Sequence, residues 1–155
     1  MSTTTERSQA HHTFVVERDV AHPVERVWQA FADLDAKRRW WGGGTDDLEL
    51  SELTDDFRVG GHGTDAGRFG DGPEHRFHST YTDIVEHERI VYTYDMWIDG
   101  AHISTSVTTI ALEPTPAGTR LTFTEQGVHL DGFDDGTMRE HGTNELLDAL
   151  VASLD

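Results

Sequence analysis

The chain of 155 residues has no cysteine and only one lysine, Lys37. Without cysteine it forms no disulfide, offers no thiol nucleophile and builds no thiolate metal site. No apolar run approaches the roughly 18 residues that a membrane helix needs. The polar residues 1–12 also lack the apolar segment of a signal peptide. Together these absences favour a cytoplasmic protein without a membrane partner.

Positive charge is also scarce, because 12 basic residues face 29 acidic ones and the formal net charge is −17. Such a surface repels phosphate backbones and anionic lipids, so we expect no nucleic-acid or membrane partner. We interpret the acidity as a source of solubility or as adaptation to a salty cell. Recruitment of a basic partner is the alternative.

The hydrophobic pattern changes period along the chain. Every second residue is apolar near the start, Val24 to Phe31 repeat with helical spacing, and Gly42 ends a second short helix. Leu48 and Leu50 alternate with polar residues, as do Phe57 and Val59, whereas 65–74 is predicted as a loop. Later strands and a final helix follow, at 75–85, 89–97, 102–113, 119–128 and about 142–154.

This order predicts an α+β protein of the helix-grip type. A curved antiparallel β-sheet wraps around a long C-terminal helix, with two short helices after the first strand. We expect a disordered N-terminal arm at 1–12 and a single domain at 13–155. Helix and curved sheet cannot fill all the volume between them, so this architecture favours an internal cavity.

Five stretches, in this order and spacing, resemble the START/polyketide-cyclase/birch-pollen-allergen superfamily, SRPBCC. Within it they are most similar to the family named after the activator of heat-shock protein 90 ATPase. The stretches are VERVWQAFADLDAKRRWWGG, DFRVGGHG, STYTDIVEHERIVYTYDM, GTRLTFTEQG and EHGTNELLDAL. We expect a bacterial, cytoplasmic protein that is a monomer or weak homodimer.

Two departures from the family matter. Many members carry Gly-Trp at the start of the last helix, where this chain has Gly142 and Thr143. A smaller residue there should leave more room in the cavity or change what fills it. Co-chaperone activity belongs to eukaryotic members with an additional N-terminal domain, which we expect this protein to lack.

Strand parity predicts which side chains line the cavity. Ile90, Tyr92, Tyr94 and Met96 share one face, and we assign this face to the concave side. The same reasoning places His102 in phase with the inward serines of the next strand. The predicted ligand-binding residues are Trp41, Tyr81, Tyr92, Tyr94, Met96, Ser104, Ser106, Phe123, Glu125 and Leu146. Apolar walls with a few polar groups are typical of small-molecule sites.

Glu125 is the one inward carboxylate, and burial of its charge is costly unless it is paired. Arg18, also on an inward phase, is the predicted partner. The alternatives are a general base with a raised pKa and a carboxylate at the open rim in water. Of the two adjacent tryptophans, Trp40 is predicted to enter the core and Trp41 to cover the mouth of the pocket.

The ten histidines do not predict a metal site. His62, His75, His78 and His102 lack zinc-motif spacing and are interpreted as surface residues. No phosphate-binding loop or nucleophile elbow is present, and we expect no cofactor.

We therefore expect the protein to bind or sequester a small apolar ligand, such as an aromatic polyketide, a flavonoid or a lipid. One alternative is a cyclase or hydrolase that uses pocket residues as acid and base. The other is regulation of a chaperone ATPase. We favour binding over catalysis, because the inward aromatic set gives binding a physical basis, whereas the fold alone does not establish catalysis.

Overall fold

The computed structural model describes residues 6–42 and 48–155. Within them lie seven strands and three helices. Along the chain these are β1 (Gln9–Val20), α1 (Val24–Ala32), α2 (Leu34–Arg38), β2 (Leu48–Asp55), β3 (His62–Phe69), β4 (His75–Val85), β5 (Arg89–Ile98), β6 (Ala101–Thr115), β7 (Gly118–Leu130) and α3 (Thr137–Leu154).

The strands form one curved, open, antiparallel sheet in the order β1-β7-β6-β5-β4-β3-β2. Each strand from β2 to β7 pairs with its neighbour in sequence, as short connections favour, and β1 closes the order against β7. With α3 against the sheet and two short helices after β1, this is the predicted α+β helix-grip fold.

Local chemistry sets the helix boundaries. Pro23 precedes the first turn of α1, and the Asp33 side chain caps α2 by accepting a hydrogen bond from the Asp35 backbone N–H. Gly136, before α3, has φ of 107°, and a Cβ built there would lie 2.3 Å from the Cβ of His12. Any larger residue at 136 would clash with β1, so the glycine lets α3 start close to the sheet.

Three sequence predictions about element boundaries are wrong. Residues 9–12, predicted as part of the N-terminal arm, belong to β1 and pair with β7, whereas residues 1–5 lie outside the described part of the chain. Asp65–Phe69, predicted as loop, lies in β3, where backbone pairing on both sides replaces the missing apolar pattern. Phe57 and Val59 lie in the turn between β2 and β3.

The inward face of β5 is as predicted, with Ile90, Tyr92 and Tyr94 buried. A register shift between Met96 and Trp97 then changes the phase of β6.

The prediction that His102 points inward is therefore wrong, and Ile103 is buried in its place. His102 instead stacks on Trp97 and bonds to Asp95 at 2.9 Å on the outer face.

The core lies where α1 and α3 cover the sheet. Val27 of α1, Leu121 of β7, and Leu147 and Leu150 of α3 are almost completely buried. These are the apolar faces that the helical spacing predicts. No helix among the described residues is long and apolar enough to span a membrane.

Candidate functional site

A cavity of about 450 Å³ lies between the concave face of the sheet and α3. Strands β2 to β7, the turn after α2 and the first half of α3 all contribute to its wall. Most of the lining is apolar. Its large apolar and aromatic residues are Trp41, Leu48, Leu50, Phe69, Phe77, Tyr92, Tyr94, Met96, Ile98, Ile103, Phe123, Phe133, Met138 and Leu146.

Seven of the ten predicted ligand-binding residues line this cavity. They are Trp41, Tyr92, Tyr94, Met96, Phe123, Glu125 and Leu146. Tyr81, Ser104 and Ser106 are also buried on the concave side, but they do not contribute to the cavity wall. Ser104 instead accepts a hydrogen bond from Arg139, and Tyr81 belongs to a separate polar cluster.

Glu125 lies at the sheet side of the cavity and is only 2% exposed. Its Oε1 accepts two hydrogen bonds, from the Tyr94 hydroxyl at 2.8 Å and from the Thr108 hydroxyl at 2.9 Å. Its Oε2 has no hydrogen-bond partner among the described residues. The carboxylate is thus anchored through one oxygen, while the other is buried without a hydrogen-bond donor among the described residues.

The predicted pairing of Glu125 with Arg18 is wrong. The Arg18 guanidinium bonds to Asp148 at 3.0 Å and to the Asn144 side chain at 3.0 Å on α3. Because β1 is an edge strand, the long Arg18 side chain reaches the outer surface of α3 rather than the interior.

Arg139, from the first turn of α3, is the cation beside Glu125. Its Nη1 lies 3.9 Å from Glu125 Oε2, beyond hydrogen-bond distance, and donates to the Tyr94 hydroxyl at 3.0 Å. Its Nη2 donates to Ser104 at 2.8 Å. Burial raises the pKa of Glu125, and Arg139 and the two hydroxyl donors oppose this shift. The pKa of Tyr94 is raised as well, by burial and by the charge of Glu125.

Asp65 forms a second carboxylate on the wall, at the β3 side. Its Oδ2 accepts a hydrogen bond of 2.5 Å from the Trp41 indole N–H. Burial raises the pKa of Asp65 to about 6, and the Trp41 hydrogen bond and the Lys37 charge limit the rise. The Asp65 carboxyl group therefore titrates closer to neutral pH than an ordinary aspartate does.

A buried polar cluster lies behind Trp41. The ammonium group of Lys37 is 3.6 Å from Asp55 Oδ2 and 4.5 Å from the centre of the Trp41 ring. The Tyr81 hydroxyl donates to Asp55 at 2.6 Å. Burial lowers the pKa of Lys37, and the Asp55 charge opposes this effect. The only lysine of the chain therefore helps to position a cavity-lining tryptophan.

The two adjacent tryptophans take different places. Trp40 is 1% exposed and its indole donates to the Ala30 carbonyl, so it is part of the core. Trp41 packs edge-on against Trp40 and Phe77 and faces the cavity. The place of Trp40 in the core is as the sequence predicted, whereas the predicted cover of the mouth by Trp41 stays a prediction.

The mouth of the cavity has an apolar rim. Leu50, Phe69, Phe133 and Met138 all line the cavity and are exposed. They account for four of the six large exposed apolar side chains among the described residues. Exposed apolar groups gathered at one opening mark a binding surface more often than scattered ones do.

The start of α3 is open at the family's tryptophan position. Thr143 and Gly142 both line the cavity, and the Thr143 hydroxyl donates to the Arg139 carbonyl at 2.9 Å. A Cβ built on Gly142 meets no heavy atom within 4 Å. Two small residues therefore line this end of the cavity, and the extra room expected relative to members with tryptophan stays a prediction.

The structure gives no arrangement of described residues that could hold a metal ion. His62 and His78 are neighbours on the outer face, with ring centres 5.1 Å apart, and His62 bonds to Thr80. His75 lines the cavity, and burial lowers its pKa.

Sequence reasoning missed Arg139 and Asp65. Arg139 is four residues before Thr143, on the same helical face, so extending the apolar stripe by one turn would have included it. Asp65 carried no such signal, because β3 lacks the alternation that identifies a strand.

The sequence model of the Activator of Hsp90 ATPase homolog 1-like proteins matches residues 21–155. A Rhizobium leguminosarum protein structure is similar at 39% identity and a TM-score of 0.91, covering 97% of this chain and 98% of that one. A Rhizobium loti protein shows 44% identity and a TM-score of 0.86, covering 94% and 99%.

An AHSA1-like protein from Aeromonas hydrophila, at 18% identity, a TM-score of 0.67 and 92% coverage of both chains, shares the fold. No curated protein matches the chain.

Proposed function

We propose that this protein, which belongs to the Activator of Hsp90 ATPase homolog 1-like family, binds and sequesters a small, largely apolar molecule in the cavity beneath α3. The family lies within the SRPBCC superfamily, whose members generally bind hydrophobic ligands. The observation that carries the proposal is the aromatic-walled cavity of about 450 Å³ with its apolar rim.

The size and chemistry of the cavity fit this role. Ligand sites usually enclose about 300–1,000 Å³ and combine apolar walls with a few placed polar groups. Here Phe77, Tyr92 and Phe123 supply aromatic surface, while Glu125 and Arg139 supply polarity. An aromatic polyketide or flavonoid of two or three rings suits such walls better than a polar metabolite.

The charge of the protein argues for a small molecule as the partner. A net charge of −17 disfavours nucleic acids and anionic membranes as partners. We propose a cytoplasmic location for the protein. We also propose that it is a monomer or weak homodimer, and size-exclusion chromatography with light scattering would test this oligomeric state.

A thermal-shift screen with flavonoids, aromatic polyketides and fatty acids tests the binding function. A true ligand raises the melting temperature in proportion to the logarithm of its concentration once the site is saturated. Calorimetry then gives the affinity and a stoichiometry of one. No stabilisation by any apolar compound would refute the proposal.

Two variants of α3 provide a matched comparison. Thr143→Trp places an indole inside the cavity at the position where many family members have one, and should abolish or strongly weaken binding. His141→Trp adds the same group to an exposed position of the same helix and should leave the affinity unchanged. If Thr143→Trp and His141→Trp bind the ligand with equal affinity, the ligand binds outside this cavity.

Acid–base catalysis on the bound molecule is a second candidate function. It rests on Glu125, whose pKa is raised and whose Oε2 is not hydrogen-bonded by the described residues. Glu125→Gln should then abolish turnover of the bound compound while the protein still binds it. Full turnover in this variant would exclude Glu125 as the base.

A further inference from the structure

We propose that the cavity selects, among small apolar compounds, those that carry a protonated amine, which Glu125 binds through its Oε2. The inference rests on the proposed function, since it assumes that the cavity takes an apolar ligand. It adds the chemical class of that ligand, a hydrophobic cation rather than a fatty or aromatic acid.

The first support is the buried, unpaired oxygen of Glu125. Buried acceptors are almost always hydrogen-bonded, so an unpaired one in a cavity wall indicates a group that arrives with the ligand. Oε1 is saturated by the Tyr94 and Thr108 hydroxyls, and Oε2 has no described donor. Arg139 does not fill this role, because its guanidinium donates to Tyr94 and Ser104 instead.

The second support is the sign of the charge on the wall. Four carboxyl groups line the cavity, those of Asp65, Glu125, Asp134 and Glu145, against the single guanidinium of Arg139. The whole chain, with these groups included, carries a net charge of −17. A ligand carboxylate would meet repulsion at the mouth and inside, whereas an ammonium group would be attracted at both.

The third support is the aromatic wall. Cations bind well to the faces of tryptophan and tyrosine when the site excludes water. Two of the wall's rings already pack against cations of the protein, since Lys37 lies over Trp41 and Arg139 over Tyr94. The same surface therefore accommodates both the ring system and the charge of an aromatic amine.

A matched series of naphthalene compounds tests the inference by calorimetry near pH 7. The probes are 1-naphthylmethylamine, which is protonated, 1-naphthylmethanol, which is neutral, and 1-naphthoate, which is anionic. A hydrogen bond between charged groups contributes more than a neutral one, so the amine should bind at least about tenfold more tightly than the alcohol. The carboxylate should bind most weakly.

Two variants identify the residue responsible. Glu125→Gln keeps the shape of the side chain but removes the charge, and should reduce the preference for the amine over the alcohol to less than about twofold. Glu113→Gln removes one carboxylate from an exposed position on β6, outside the cavity, and should leave the preference unchanged.

The outcomes separate the two proposals. If the carboxylate binds as tightly as the amine, or if the preference survives in Glu125→Gln, the inference fails while the binding function stands. The comparison of probes on the unmodified protein decides the first point even if Glu125→Gln does not fold. If none of the three probes binds, the inference fails, and the thermal-shift screen with flavonoids, aromatic polyketides and fatty acids decides whether the binding function fails as well.

Discussion

Asp65→Asn should make the protein more stable at neutral and higher pH, although it removes a hydrogen-bonded side chain from the cavity wall. The pKa of Asp65 is raised from 3.8 to about 6, chiefly by burial. Below pH 3.8 the carboxyl is protonated in both the folded and the unfolded chain. Between pH 3.8 and 6 the folded chain holds more protons, so the stability contribution of this group falls as pH rises.

The pKa values of Asp65 in the folded and unfolded chain differ by about two units, which corresponds to about 3 kcal/mol of stability at about 1.4 kcal/mol per unit. This contribution is fully lost above pH 7. Asparagine keeps a carbonyl oxygen that can accept the Trp41 indole hydrogen bond but carries no charge to bury. The variant should therefore match the unmodified protein near pH 4 and exceed its stability by up to about 3 kcal/mol at pH 8.

Urea unfolding followed by circular dichroism, at intervals from pH 4 to pH 8, measures this difference. Comparison with Glu113→Gln removes the general effect of one fewer negative charge on a chain of net charge −17. A stability difference between Asp65→Asn and the unmodified protein that does not change with pH would refute the reasoning. So would an asparagine variant that is less stable at pH 8.

Two further predictions concern stability alone and use the same unfolding assay. Lys37→Met should lower the free energy of unfolding by about 3–5 kcal/mol, because it leaves the buried Asp55 carboxylate without its cation. Adding Asp55→Asn to this variant should recover most of the loss. A loss below about 1 kcal/mol in Lys37→Met would contradict the pairing. Gly142→Ala should stabilise α3 by about 0.5–1 kcal/mol, since its Cβ meets open space. Gly61→Ala should instead destabilise the protein by more than about 1 kcal/mol, because its Cβ would lie 2.1 Å from the Asp56 carbonyl oxygen. Equal effects of Gly142→Ala and Gly61→Ala on stability would contradict both predictions.

Most of the sheet and its inward face could be predicted from the sequence because side-chain alternation in strands is strict. Once Ile90 was assigned to the core, Tyr92 and Tyr94 had to follow it. The prediction failed where the period was interrupted. The register shift beside Met96 turns His102 outward, and no local pattern in the sequence marks that shift.

The polar contacts of the cavity could not be predicted in the same way. Parity assigned both Arg18 and Glu125 to the interior, but a long side chain on an edge strand has room to turn toward solvent. The cation that does approach Glu125 comes from α3, Arg139, whose position depends on how the helix docks on the sheet. Strand β3 was missed for a related reason, because neighbouring strands and not its own composition hold it in place.

The location of the cavity follows from the uneven cover that the helices give the sheet. Helices α1 and α3 pack over β1, β6 and β7, where most of the fully buried core residues lie. Toward β2 to β5, the described residues that roof the concave face come from the turn after α2, the segment before α3 and the first half of α3.

We therefore expect ligand selection to depend, besides Glu125 on the sheet, on a few roof positions such as Trp41, Arg139 and Thr143. Changes at these positions can alter what is bound without altering the fold, which is why family membership identifies the cavity but not its ligand.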